Sequence, residues 1–114
     1  MEDKDLIRSR VYCCFKCRNV IALHDDIVNK YFLAGNEGRA FLISRLINIV
    51  EGPASDRHLT TGVHFVKDVF CSDCREYLGW KYKKVYQEWQ KYKETKFAIS
   101  KRKICKLVDA PNHL

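Results

Sequence analysis

The chain has 114 residues, 46% of them apolar and 31% charged, with six cysteines and a formal net charge of +7. That length accommodates one domain of ordinary size, and the composition excludes a disordered or fibrous chain. The opening "MEDKDLIRSR" alternates acid and base, and the longest apolar-looking run, "AFLISRLINIV", is broken by Arg45; neither a secretory signal nor a membrane span is expected.

In chain order, residues 1–9 read as an N-terminal extension, 10–106 as one domain and 107–114 as a tail. The strand candidates are "RVYCCF" (10–15), "RAFLI" (39–43), "INIV" (47–50) and "VHFVKDVF" (63–70). The turn formers "AGNEG", "EGPASD" and "TTG" lie between them, which predicts a mostly β domain. In the last candidate Val63, Phe65, Lys67 and Val69 alternate with His64, Val66, Asp68 and Phe70, so neither face is cleanly apolar. "KVYQEWQKYKE" sets Val85, Trp89 and Tyr92 at helical spacing and predicts a short helix or turn. "KFAISKRKICKL" reads as a returning strand or as a solvated basic tail.

Charge is unevenly placed. Residues 1–74 carry ten basic and ten acidic side chains, whereas residues 75–106 carry eleven Lys/Arg against three Glu, a balance of +8. A basic end of this kind suits nucleic acid, an acidic partner or an anionic surface.

Cys14 and Cys17 form one C-x-x-C and Cys71 and Cys74 a second, with 53 residues between the pairs. An intracellular address, in nucleus and cytoplasm, is expected from the missing signal; thiols stay reduced there and spaced cysteines read first as metal ligands. Four thiolates in two knuckles suit one Zn2+, which takes tetrahedral sulfur ligation at about 2.3 Å. Such a closed site has no open position for water or substrate, so the ion is read as structural. The alternatives are four buried small hydrophobes or a redox dithiol, but the latter expects a single C-x-x-C opening a helix in a βαβ setting. Cys13 and Cys105 read as packing or surface thiols, and His24 as a capping or hydrogen-bonding residue.

These cysteine pairs, with "GRAFL", Asn48, "GP" at 52–53, Gly62, His64, "LGWKY" and "QKYKE" between and after them, resemble the yippee-like family over roughly residues 10–100. "NVIALHDDIVNK" is closest to its plant-type members. Three features depart from the family pattern: one extra residue between Cys17 and Gly38, Thr95 where glycine is usual, and Ser100 where an acid is usual. The resemblance implies a β-tent-like fold, two antiparallel sheets meeting at an angle and clamped by a four-cysteine zinc site, with little helix. It also implies a non-enzymatic protein with protein partners, in some members the subunits of a CTLH-type ubiquitin ligase. By analogy with cereblon-like domains, it points to Trp80, Tyr82, Phe65 and His64 as walls of a ligand pocket, against the plainer reading that these aromatics pack a core.

Three functions compete on these grounds. The first is a zinc-stabilised protein-interaction module. The second is a nucleic-acid binder using the basic 75–106 segment, whose lysines would neutralise phosphates while its aromatics stack on bases. The third is a sulfoxide-reductase-like redox enzyme, for which Cys13 and Cys105 are the only thiols outside the metal set.

Overall fold

The computed structural model describes residues 10–35 and 38–107; the extension at 1–9 and most of the expected tail lie outside the described residues. The strands are β1 (Val11–Cys14), β2 (Val20–Leu23), β3 (Ile27–Leu33), β4 (Arg39–Ile43), β5 (Ile49–Leu59), β6 (Gly62–Cys71), β7 (Tyr77–Val85), β8 (Phe97–Ser100) and β9 (Ile104–Leu107). They form two antiparallel sheets, one ordered β2-β1-β9 and the other β3-β4-β8-β7-β6-β5. Two short 3-10 segments, His24–Asp26 and Glu88–Lys93, lie between the strands.

The six-stranded sheet carries a core on each face, built from different material. Consecutive residues of a strand point to opposite faces. Ile43 and Ile99 belong to one core, whereas their neighbours Leu42 and Ala98 belong to another. The first core is closed by Tyr12, Cys14, Ile21, Ala22 and Ile104 of the three-stranded sheet. The second gathers Phe32, Leu42, Val66, Trp80, Tyr82 and Val85. Along β6 the buried side therefore changes, with His64 and Val66 buried at one end and Val69 and Cys71 at the other. This explains why neither face of "VHFVKDVF" is cleanly apolar.

Gly79 joins the two cores. Its neighbours Leu78 and Trp80 lie in different cores, because the β6–β7 register shifts between Val69 and Phe70. A Cβ on Gly79 would stand 2.0 Å from the Ala98 carbonyl oxygen of β8, so only glycine lets the two strands approach this closely.

Several expectations are corrected. "EGPASD" is not a turn: β5 continues through it to Leu59, absorbing Gly52 and Pro53 at a register shift between Glu51 and Ala54. Proline is tolerated because β5 is an edge strand paired only with β6. The short helix or turn expected in "KVYQEWQKYKE" is present as the 3-10 segment Glu88–Lys93, but not its apolar stripe: Val85 ends β7, Trp89 and Tyr92 are exposed, and Gln90 and Lys93 point inward. "KFAISKRKICKL" is two strands, β8 between β4 and β7 and β9 beside β1, so residues 101–103 carry the chain from one sheet to the other.

Candidate metal centre

Both knuckles have the same construction. Cys14 ends β1 and Cys71 ends β6, and each is followed by a three-residue turn carrying the second cysteine. In the first, the Arg18 N–H donates to the Cys14 carbonyl (2.9 Å) and the Cys14 N–H to the Asn19 carbonyl (2.8 Å). In the second, Arg75 donates to Cys71 (3.0 Å) and Cys71 to Glu76 (2.9 Å). The sequences "CFKCRN" and "CSDCRE" thus fold alike, and both arginines take left-handed backbone, φ 68° at Arg18 and 65° at Arg75. Left-handed backbone reverses the chain tightly enough for both sulfurs of a knuckle to face one point.

The four sulfurs converge. Cys14 Sγ lies 3.6 Å from Cys74 Sγ, Cys17 Sγ lies 3.5 Å from Cys71 Sγ, and all four sit within 4.8 Å of one another. Tetrahedral Zn–S bonds of about 2.3 Å put neighbouring sulfurs about 3.8 Å apart, so the arrangement fits one zinc ion and fills its coordination. Cys14 and Cys71 are wholly buried while Cys17 and Cys74 are half-buried. A cation is needed for four such thiols to ionise together. Burial pushes Cys14 up; Cys17 is pushed up to about 12, because burial and the facing thiols outweigh the lowering hydrogen bond of the Asn19 N–H. Cys71 is held at about 6, since N–H groups of Cys74, Asn19 and Asp73 overcome its burial.

Partners around the sulfurs were not legible as such in the sequence. The Asn19 amide donates to Cys71 Sγ (3.4 Å), Ser72 Oγ (3.3 Å) and the Asn48 carbonyl (3.3 Å), tying the first knuckle to the second. Asn48, itself at φ 57°, donates its amide to the Val20 carbonyl (2.8 Å). Glu76 accepts from Lys103 (2.8 Å) and pairs with Lys16 (3.5 Å), and the Lys103 hydrogen bond is the main reason its carboxyl is lowered. Supporting hydrogen bonds of this kind orient ligands and set their basicity. The signal that could have found Asn19 and Glu76 was the parallel between the two six-residue motifs.

Of the four pocket candidates, Trp80 lines a hollow. It is 3% exposed and shares a cavity of about 370 Å3 with Arg57, His58, Leu59, Thr60 and Tyr77. The Arg57 guanidinium stands 5.8 Å from the Trp80 ring centroid and is anchored to Asp68 at 2.8 Å. The Trp80 indole nitrogen lies close enough to the Tyr82 hydroxyl to affect it without closing a hydrogen bond. Tyr82 and His64 pack edge to face at 5.4 Å inside the second core, and Phe65 is half-buried away from the hollow. Cys13 is buried opposite Cys105 on β9, and burial raises its thiol. His24 stacks with Tyr12, 6.1 Å between centroids, beside the 3-10 turn it opens.

Comparison with known proteins agrees with this geometry. Residues 10–110 match the family described as "Yippee zinc-binding/DNA-binding /Mis18, centromere assembly". A yippee-like protein of Arabidopsis thaliana is 55% identical over 100 residues, covering 88% of this chain and 93% of its own. Yippee-like protein 3 of Danio rerio is 47% identical over 90 residues, covering 79% and 75%. The crystal structure of the Mis18 "Yippee-like" domain superposes with a TM-score of 0.71 at 15% identity, covering 89% of this chain and 97% of that one, a likeness of fold. With its two antiparallel sheets and convergent Cys14, Cys17, Cys71 and Cys74, the chain belongs to the yippee-like family of zinc-binding domains.

Proposed function

We propose that this chain is a non-enzymatic, zinc-stabilised protein-interaction module that works in the nucleus and cytoplasm as a component of a CTLH-type ubiquitin ligase. One observation carries the reading: the four cysteines use every tetrahedral position of the metal, which leaves the ion a structural role, while large apolar side chains remain exposed elsewhere. The test is native gel filtration of the tagged chain from cells, followed by mass spectrometry. Comigration with ligase subunits in one large assembly is expected; a free monomer overturns the reading.

A second reading, nucleic-acid binding, is favoured by the DNA-binding wording of the matching family and by Tyr86, Trp89 and Tyr92, exposed among Lys83, Lys84 and Lys91. Much of the basic charge is engaged internally, however: Lys81 pairs with Glu51, Lys103 with Glu76, and Lys93 is buried. Affinity for single-stranded DNA that falls steeply with salt supports this reading, and salt-independent affinity removes it. Burial and a raised thiol pKa make Cys13 a poor redox nucleophile.

A further inference from the structure

Beyond Phe41 the six-stranded sheet has a stretch of face that no described residue covers. Tyr31 and Leu33, on edge strand β3, are 85% and 72% exposed, more than any other large apolar side chain among the described residues. The register sets Leu33 opposite Arg39 and Phe32 opposite Ala40 and shifts between Asn29 and Phe32; the rings of Tyr31 and Phe41 both face Lys101. Phe41 still touches the three-stranded sheet, edge to face with Tyr12 at 5.2 Å. Past it the cover stops. Lys101, in the turn after β8, holds its Nζ 4.7 Å from the Phe41 ring centroid and 5.6 Å from that of Tyr31. Tyr31, Leu33, Arg39 and Lys101 line a hollow of about 360 Å3, a size within the range of about 300–1,000 Å3 usual for ligand clefts.

The hollow is apolar on its β3 side and cationic on the side of β4 and the turn after β8. Among the described residues Arg39 and Lys101 are in no ion pair, and together they bring two cations to one apolar hollow. We infer that this hollow docks an acidic segment of a partner protein. An aliphatic or aromatic side chain of that segment enters against Tyr31 and Leu33, and flanking carboxylates meet Arg39 and Lys101. The inference rests on reading the chain as an interaction module and gives that module its surface. Complementary charge selects the occupant. A second copy meeting this face symmetrically would set the cations of one molecule against those of the other. A nucleic-acid strand would find a single exposed ring, Tyr31, with the aliphatic Leu33 beside it, whereas strand-binding grooves set out successive aromatics for successive bases.

The test uses the zinc-loaded chain and a fluorescein-labelled peptide, Asp-Glu-Phe-Leu-Glu-Asp, followed by anisotropy. Binding should weaken as salt rises. It should fall by about tenfold or more in Arg39→Glu/Lys101→Glu and in Tyr31→Ser/Leu33→Ser, a loss reached with about 1.4 kcal/mol. All four side chains line an open surface, and circular dichroism with zinc content verifies that both variants fold. The charge-reversed variant should instead bind Lys-Lys-Phe-Leu-Lys-Lys, which the wild type should not. Unchanged binding of the acidic peptide in both variants overturns the inference. So does equal binding of the lysine peptide by the wild type, displacement by single-stranded DNA, or a wild-type dimer in sedimentation that dissociates in Tyr31→Ser/Leu33→Ser. Native gel filtration of the wild type separates the two levels: a large assembly leaves the module reading standing even if the peptide result removes this surface. A free monomer removes the module reading, whatever the peptide does.

Discussion

The core beneath the three-stranded sheet ends in four sulfurs, whereas the core on the opposite face of the six-stranded sheet ends in a buried lysine. At the first, Cys14 and Cys71 are wholly buried among Ile21, Val69 and Leu78, and the strand ends meeting there, of β1 and β6, come from two distant parts of the sequence. At the second, Lys93 donates to Gln90 Oε1 at 2.6 Å, and its Nζ lies 5.4 Å from the Phe32 ring centroid and 5.6 Å from that of Tyr82. Gln90 in turn donates to the Thr61 carbonyl (3.0 Å), and the Thr61 hydroxyl meets His64 Nε2 (2.9 Å). A small domain buries too little apolar surface to close two cores by hydrophobic contact alone. One core is completed by a metal and the other by hydrogen bonds and backbone fit, so the two should fail under different insults.

Zinc removal is the largest. Structural zinc contributes about 10–16 kcal/mol, against about 5–15 kcal/mol for the stability of a whole domain. A strong chelator, or Cys71→Ala, should abolish the cooperative urea transition, with amide protection lost first in β1, β2 and β9. Protection that survives in those strands without metal would break the comparison, because the first core would then close unaided.

Next in size is Gly79→Ala, which strikes the joint between the cores. The added methyl meets the Ala98 carbonyl at 2.0 Å, and backbone cannot yield as a flexible side-chain tip does. A loss on the order of 3 kcal/mol or more is expected in urea unfolding. Chemical-shift changes should appear around both Leu78 and Trp80; changes confined to one core would mean that β7 accommodates the methyl by a local bulge.

The sequence announces these two cores unequally. The doubled C-x-x-C needs only counting, and "RAFLI" is β4 to the residue. The second core hides because the segment that closes it, Glu88–Lys93, buries Gln90 and Lys93 while exposing Trp89. Apolar periodicity tracks transfer from water and misses burial that is stabilised by hydrogen bonds. "LGWKY" carries the family but shows no strand, since its burial on both sides of Gly79 breaks the alternation of a half-exposed strand. β2 and β3 give no strand signal either: "VIAL" is too short to display a period, and β3 is irregular, with register shifts on both sides of Asn29.

The buried lysine offers a pH test that spares the metal. Burial lowers the Lys93 pKa from its ordinary 10.5. Between that lowered folded value and 10.5, the unfolded chain holds a proton that the folded chain has released, so stability rises with pH across this window. The groups facing the ammonium are Thr61, Gln90, His64 and the rings of Phe32, Tyr82 and Tyr92. None of them is a carboxylate. Tyr82, pushed up to about 12 by burial, works in the opposite direction only above the ordinary tyrosine value of 10.0. Urea midpoints measured as pH rises toward 10.0 should therefore move in favour of the wild type relative to Lys93→Met. Parallel profiles would mean that Lys93 keeps its proton and that the second core tolerates a full charge.

The smallest effect comes from the turn behind that lysine. Thr95 sits at φ 71°, a left-handed conformation that costs an L residue about 1–2 kcal/mol. The turn has little freedom to relax: the Thr95 N–H donates to the Tyr82 carbonyl (2.7 Å), the Tyr82 N–H to the Lys96 carbonyl (2.9 Å), and the Lys96 N–H to the Lys93 carbonyl (2.9 Å). These bonds hold the chain reversal that lays Lys93 over Tyr82, so the strain is retained in the folded state. Thr95→Gly removes it but gives the unfolded chain more freedom, which offsets about 0.5–1 kcal/mol. A net gain of roughly 0.5–1 kcal/mol is expected, a rise of a few degrees in Tm for a domain of this size, with zinc affinity unchanged because the knuckles lie at the other core. A lower Tm would show that the threonine side chain makes a contact worth more than its strain; an altered zinc affinity would show that the two cores are energetically one.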